Sequence, residues 1–133
     1  MSTPFELTMK VRDYECDMEG IVNNAVYQNY LEHTRHEMIL SRGISFAELV
    51  EQQIHVVVAR ADIRYKSPLR SRDEFVVTCS ARVEGLKIFF DQEVRQLPDR
   101  KLCVQATFTC AALVNGRLAA IPELTNKLID VAD

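Results

Sequence analysis

The chain has 133 residues, of which 47% are hydrophobic and 26% charged, with only 4 Gly and 4 Pro. That balance excludes a disordered or collagen-like chain and fits one domain over residues 1–133, able to bury about two thirds of its unfolded surface. The net charge of −3, from 16 basic and 19 acidic residues, argues against a broad nucleic-acid-binding surface, and no apolar run reaches the roughly 20 residues that span a bilayer.

In chain order, Phe5 to Arg12 alternates, with Phe5, Leu7, Met9 and Val11 on one face and Glu6, Thr8, Lys10 and Arg12 on the other. This predicts a half-buried strand. The same N-terminal stretch, with Glu6 and Lys10, lacks the apolar run of a secretory signal, so the expected location is cytoplasmic. A polar stretch, Asp13 to Asn24, follows. From Ala25 the period becomes helical: Tyr27, Tyr30, Leu31, Thr34 and Met38 form one face, while Glu32, Arg35, His36 and Glu37 fall largely on the other. Asn23 or Asn24 suits the N-cap and Gly43 the stop. Ser45-Phe46-Ala47-Glu48 has capping-box spacing and opens a short helix to about Gln52.

The remainder predicts strands. Ile54 to Lys66 is apolar on both faces at first and then alternates through Ala59, Ala61, Ile63 and Tyr65. Glu74 to Glu84, Lys87 to Arg95 and Lys101 to Val114 follow, separated by turns at Glu84-Gly85 and Pro98-Asp99. Asn115-Gly116 signals a hairpin, and Pro122 suits the first position of a helix through Leu128. Short turns imply antiparallel neighbours, and one long helix packed on one long sheet makes the class α+β. Such a sheet leaves a face and edges for a second copy to cover, so a homo-oligomer is expected. Cys16, Cys79, Cys103 and Cys110 form no C-x-x-C pair and are expected as free thiols.

The densest signal is Asp17-Met18-Glu19-Gly20-Ile21-Val22-Asn23-Asn24-Ala25-Val26-Tyr27, followed by Glu32 and Arg35. An acid, a glycine turn, a cap and a first helical turn are packed into eleven residues. This pattern resembles the hotdog-fold acyl-CoA thioesterases of the 4-hydroxybenzoyl-CoA thioesterase type, whose motif runs D-x-x-G-(H or I)-V-N-N-x-x-Y and then E-x-x-R. Ile63-Arg64-Tyr65-Lys66-Ser67-Pro68-Leu69 with Asp73 resembles the family's second stretch, and Ile121-Pro122 also suits it. The resemblance implies a hotdog fold, a curved antiparallel sheet wrapped around a central helix. It implies hydrolysis of an acyl-CoA to acid and CoA without metal or organic cofactor, in a dimer or tetramer. It makes Asp17 the nucleophile or general base, and the Asn24 N–H the group that polarises the thioester carbonyl. Helix N-termini suit that second task, because their N–H groups lack partners and carry the positive end of the dipole.

Two departures stand out. Ile21 occupies a position where many relatives have His, so no imidazole is expected in the reaction. Arg72 stands where the family often has Gly; a positive φ there would cost about 1 kcal/mol, and a locally different turn is expected instead. Substrate contacts are expected from Asn23 and Tyr27, the latter within the core stripe. The basic run Arg64, Lys66, Arg70 and Arg72 is the candidate for CoA phosphates, against the alternative of a solvated strand end. Glu19 is a second acid beside Asp17, better read as a solvated turn residue. His33, His36 and Glu37 lack H-E-x-x-H spacing and read as a solvated helix face, and Cys16 reads as packing. No G-x-S-x-G, Walker A or dinucleotide fingerprint is present. Two other readings stay open: an acyl-carrier-protein thioesterase, and a non-catalytic acyl-CoA-binding module on the same fold.

Overall fold

The computed structural model describes residues 4–129. In chain order the elements are β1 (Phe5–Lys10), α1 (Asn24–Ser41), α2 (Phe46–Glu51), β2 (Ile54–Tyr65), β3 (Glu74–Glu84), β4 (Lys87–Gln96), β5 (Lys101–Val114), β6 (Arg117–Leu118) and α3 (Pro122–Ile129). A single 3-10 turn at Asp13–Glu15 precedes α1. The helix caps follow the expected chemistry. The Asn23 side chain accepts the Ala25 N–H at 3.0 Å, and the Ser45 hydroxyl accepts the Glu48 N–H at 3.3 Å.

The strands form one antiparallel sheet in the order β1-β3-β4-β5-β2, with β6 folded back on the end of β5. Chain neighbours β2 and β3 are therefore not sheet neighbours; β2 lies at the edge opposite β1. Alternation decides which side chains point inward. Phe75, Val77 and Cys79 of β3, Ile88, Phe90 and Val94 of β4, and Ala106, Phe108 and Cys110 of β5 are buried with α1's Leu31 and Met38. Each large apolar side chain so buried contributes about 1.5–3 kcal/mol. Helix α1 lies on β1, β3 and β4, and leaves β2 largely uncovered.

Three details differ from the sequence reading. Arg35 is not on the solvent side: it is 7% exposed, because an apolar stripe through Leu31, Thr34 and Met38 is wide enough to take in position 35 as well. Ala59 is out of phase with Ala61, Ile63 and Tyr65, because the register of β2 against β5 shifts between Val58 and Arg60. Arg72 does adopt the left-handed conformation, with φ +72°, although it carries a side chain. The turn is held there by the Arg72 N–H donating to the Val11 carbonyl at 3.0 Å and the Val11 N–H donating to the Asp73 carbonyl at 2.9 Å.

That backbone yields a direct expectation. Arg72→Gly should stabilise the fold by about 0.5–1 kcal/mol, the relief of left-handed strain less the added freedom of the unfolded chain. Urea denaturation reads it; a clear loss of stability would mean that the Arg72 side chain supports the fold more than its backbone strains it.

Candidate active site

The segment from the 3-10 turn to α1 is a small hairpin. Cys16 pairs with Val22, the Asp17 N–H donates to the Ile21 carbonyl at 2.9 Å, and the Gly20 N–H donates to the Asp17 carbonyl at 3.0 Å. Gly20 closes the turn at φ +79°, a conformation a side chain would strain. Outside the hairpin, the Asn23 N–H donates to the Glu15 carbonyl at 3.0 Å, and the Val22 N–H to the Leu69 carbonyl at 2.9 Å. Ile21 also bridges to Arg70. The tip is therefore tied on both sides before α1 begins.

Asp17 is exposed at that tip, and its Oδ1 accepts the Glu19 N–H at 2.8 Å. Among the described residues, nothing donates to its other oxygen. Asn24 opens α1 on the surface, and among the described residues no protein acceptor takes its N–H. The arrangement offers a carboxylate with a free oxygen, to act on water or carbon, and a helix-terminal N–H to polarise a carbonyl. Glu19 is exposed, and its backbone orients Asp17.

Glu15, which the sequence does not single out, organises this region. It is 8% exposed, and its Oε1 accepts the Tyr30 hydroxyl at 2.7 Å and the Arg12 N–H at 2.8 Å. Its Oε2 lies 3.3 Å from the Arg12 guanidinium. Burial, followed by the bond to Glu15, pushes the Tyr30 hydroxyl pKa well above its ordinary value, which keeps it a donor. The only signal in the sequence is its place two residues before Asp17, lost in a stretch that reads as polar. Cys16 packs against the core, and its thiol pKa is raised, by burial first and then by the neighbouring carboxylates. That is the opposite of an activated thiol.

Of the expected substrate contacts, Asn23 is committed as the cap, and Tyr27 is 3% exposed with its hydroxyl accepting the Leu69 N–H at 2.9 Å. Tyr65 tilts against Tyr27 and donates from its hydroxyl to the Asn24 carbonyl at 3.3 Å. The basic run separates. Arg64 lies beside Asp62 on the polar outer face of the sheet. Lys66 is exposed just past β2, Arg70 bridges to Ile21, and Arg72 lines a groove with Lys10 and Arg12. Arg35 donates to the Gln92 Oε1 at 3.1 Å, and its guanidinium carbon sits 4.0 Å above the Phe108 ring; burial pushes its pKa down. An apolar cavity of about 350 Å³ lies farther along α1, lined by His36, Phe46, Val56 and Leu124 among others.

The family model described as the thioesterase-like superfamily matches residues 11–128. The chain is 41% identical over 109 residues to the acyl-acyl carrier protein thioesterase ATL3, chloroplastic, of Arabidopsis thaliana, covering 80% of this chain and 56% of that one. The chain thus spans little more than half the length of that relative. It is 30% identical over 124 residues to the long-chain acyl-CoA thioesterase FadM of Escherichia coli, covering 90% of this chain and 93% of that one. Among solved structures, Slr0204, a 1,4-dihydroxy-2-naphthoyl-CoA thioesterase from Synechocystis, superimposes with a TM-score of 0.87 at 14% identity, over 95% of this chain and 96% of that one. This likeness shows the hotdog fold expected from the motif.

The Glu15–Tyr30 bond can be measured. Tyr30→Phe and Glu15→Gln should each cost about 1–3 kcal/mol, the range for a buried bond to a charged group. A double-mutant cycle should return about 1–2 kcal/mol of coupling. Additive losses would mean that the bond contributes nothing specific.

Proposed function

Because the chain belongs to the thioesterase-like superfamily, we propose that it hydrolyses an acyl-CoA thioester to a free carboxylic acid and CoA. The observation that carries this reading is the hairpin, which presents the exposed Asp17 carboxylate while leading directly into the Asn23-capped N-terminus of α1. Thioester cleavage builds negative charge on the carbonyl oxygen. The Asn24 N–H and the α1 dipole stabilise that charge. Asp17 either takes a proton from the attacking water or attacks the carbonyl carbon itself, passing through a mixed anhydride that water then opens. Thiolate leaves in both cases, and no metal or organic cofactor enters the chemistry. The uncovered inner side of β2, with Val58, Ala61 and Tyr65 exposed, supplies an apolar wall for the acyl group. A second reading, hydrolysis of an acyl group carried by a carrier protein, is supported by the similarity to the Arabidopsis relative. The unbonded oxygen that Asp17 keeps beside the helix end supports catalysis over a module that merely binds acyl-CoA. The free cysteines suit a reducing compartment such as the cytoplasm.

Asp17→Asn keeps shape and hydrogen bonding but removes the charge. It should lower kcat at least about 10²-fold with little change in KM, in a protein that stays folded. In a single turnover in ¹⁸O-water, label in Asp17 identifies the nucleophilic route with the anhydride opened at the Asp17 carbonyl. Label in the acid product alone fits a general base or an anhydride opened at the acyl carbon, and trapping of the acylated enzyme separates those two. A folded variant with wild-type turnover would sink both routes and make Glu19 the next residue to replace.

Assembly belongs to the same reading. Strand β2 ends the sheet at its open edge, and its Val57, Val58 and Tyr65 are 39%, 49% and 45% exposed. A second copy would cover this surface. Light scattering at micromolar concentration should give a mass at least twice 15.2 kDa; a clean monomer would rule out a site shared between copies.

A further inference from the structure

Lys10, Arg12 and Arg72 come from two separate parts of the chain and line one groove of about 540 Å³. The volume lies within the usual range for small-molecule sites. Asp13 also lines it, with its carboxylate accepting the Ser71 hydroxyl. Three cations and one anion give the lining a formal charge of +2, against −3 for the whole chain. Arg12 shares its charge with the buried Glu15 while its side chain remains 64% exposed. Among the described residues, Lys10 and Arg72 have no acidic partner within salt-bridge distance.

The backbone gives an independent reason to look here. Arg72 is pinned at φ +72° by the two bonds that join its turn to Val11, in a conformation that glycine would hold without strain. Gln53, Arg100 and Asn115 also hold a positive φ, but Arg100 is paired with Glu6, whereas among the described residues Arg72 combines that backbone with an unpaired guanidinium. The groove also lies at a suitable reach from Asp17. Asp17 is hydrogen-bonded to Ile21 and Ile21 is bridged to Arg70, two cross-strand steps of roughly 4.8 Å. Arg72 is two residues beyond, at most roughly 7 Å, so the two backbone positions are at most about 17 Å apart. The arm between a pantetheine sulfur and its terminal phosphorus has about thirteen bonds at roughly 1.2 Å of reach each, ~16 Å in all.

We propose that the groove of Lys10, Arg12 and Arg72 receives the phosphate that ends the phosphopantetheine arm of the substrate. This rests on the thioesterase reading. Coenzyme A and an acyl carrier protein both place a phosphate at that point, in a pyrophosphate for the former and a phosphodiester for the latter. Of the basic run, Arg72 lines this groove, joined by Lys10 at the end of β1 and Arg12 at the start of the 3-10 turn.

The test uses one acyl group carried on pantetheine, on 4′-phosphopantetheine and on CoA, with the wild-type protein, Arg72→Gly and Lys10→Gln. The wild type should show a KM about tenfold lower once a phosphate is present, the scale of a charge-assisted bond. That ratio should collapse towards one in both variants and in high salt, while kcat changes little, because the contact exists equally in ground and transition states. Arg72→Gly relieves strain, so its loss of discrimination cannot be blamed on unfolding; a thermal melt checks this. Collapse already at phosphopantetheine upholds the proposal for the phosphate common to both carriers, and collapse only at CoA assigns the groove to the nucleotide end and overturns it. Equal KM for all three substrates in the wild type, or ratios unchanged in both variants, overturns the proposal. If the wild type hydrolyses none of them, the thioesterase reading fails by itself. Calorimetric binding of CoA then decides the groove: a tenfold weaker affinity in Arg72→Gly upholds it, and equal affinity or no binding overturns it.

Discussion

An ionised carboxylate taken out of water is costly unless donors surround it. Glu15 has three: the Tyr30 hydroxyl from α1, and the backbone and guanidinium of Arg12 from the far side of the 3-10 turn. Satisfying that group leaves the chain little choice about where it enters and leaves the hairpin. The Glu15 carbonyl receives the Asn23 N–H, so the same residue fixes both the foot of the hairpin and the cap of α1. Apolar packing could not do this alone, since the tip carries Met18 fully in solvent and buries little. The tyrosines extend the scheme. Tyr27 takes the Leu69 N–H, Tyr30 reaches Glu15 and Tyr65 reaches the Asn24 carbonyl, so three hydroxyls tie the central helix to the segment before β3, to the 3-10 turn and to the edge strand β2.

Most of the sheet and the central helix were legible because a buried face imposes a period. Phe75, Val77 and Cys79 repeat every second residue, and Tyr27, Leu31, Thr34 and Met38 every third or fourth. The failures have the same root. Arg35 lies within reach of the buried stripe, but its polarity assigned it to solvent; Gln92 and the Phe108 ring make its burial tolerable, and both are about sixty or more residues away in sequence. Glu15 sits in a 3-10 turn, where neither period applies. The placement of β2 beside β5 is a long-range fact that no local pattern encodes. Near the hairpin, the cap at Asn23 could be read from local residues, whereas Asp17 stood out only through the family resemblance. Lys10 and Arg12 carried no such signal, since an outward-facing charge at the end of a strand or in the turn after it looks the same whether it meets solvent or a ligand.

The sheet is unevenly covered. Helix α1 presses on β1, β3 and β4, while Ala61 of β2 stays exposed beside the buried Phe108 with which it pairs. Arg35 stands over Phe108, at the margin between the covered and open parts of the inner face, with an amide for a partner instead of an acid. A cation there marks the margin with a polar character that the apolar residues around it lack.

Strand β2 changes phase at Ala59. Before it, Val56 and Val58 pair with the buried Ala112 and Cys110; after it, Ala61 and Ile63 pair with Phe108 and Ala106. The extra residue works as a slip joint. A one-residue insertion or deletion in a regular strand turns every later side chain to the opposite face, but here the joint can take up the change. The half of β2 that borders the apolar cavity near His36 and Phe46 is thereby uncoupled from the half that ends with Tyr65 against Asn24. The far wall can therefore change in length and volume while the end beside the hairpin keeps its alignment.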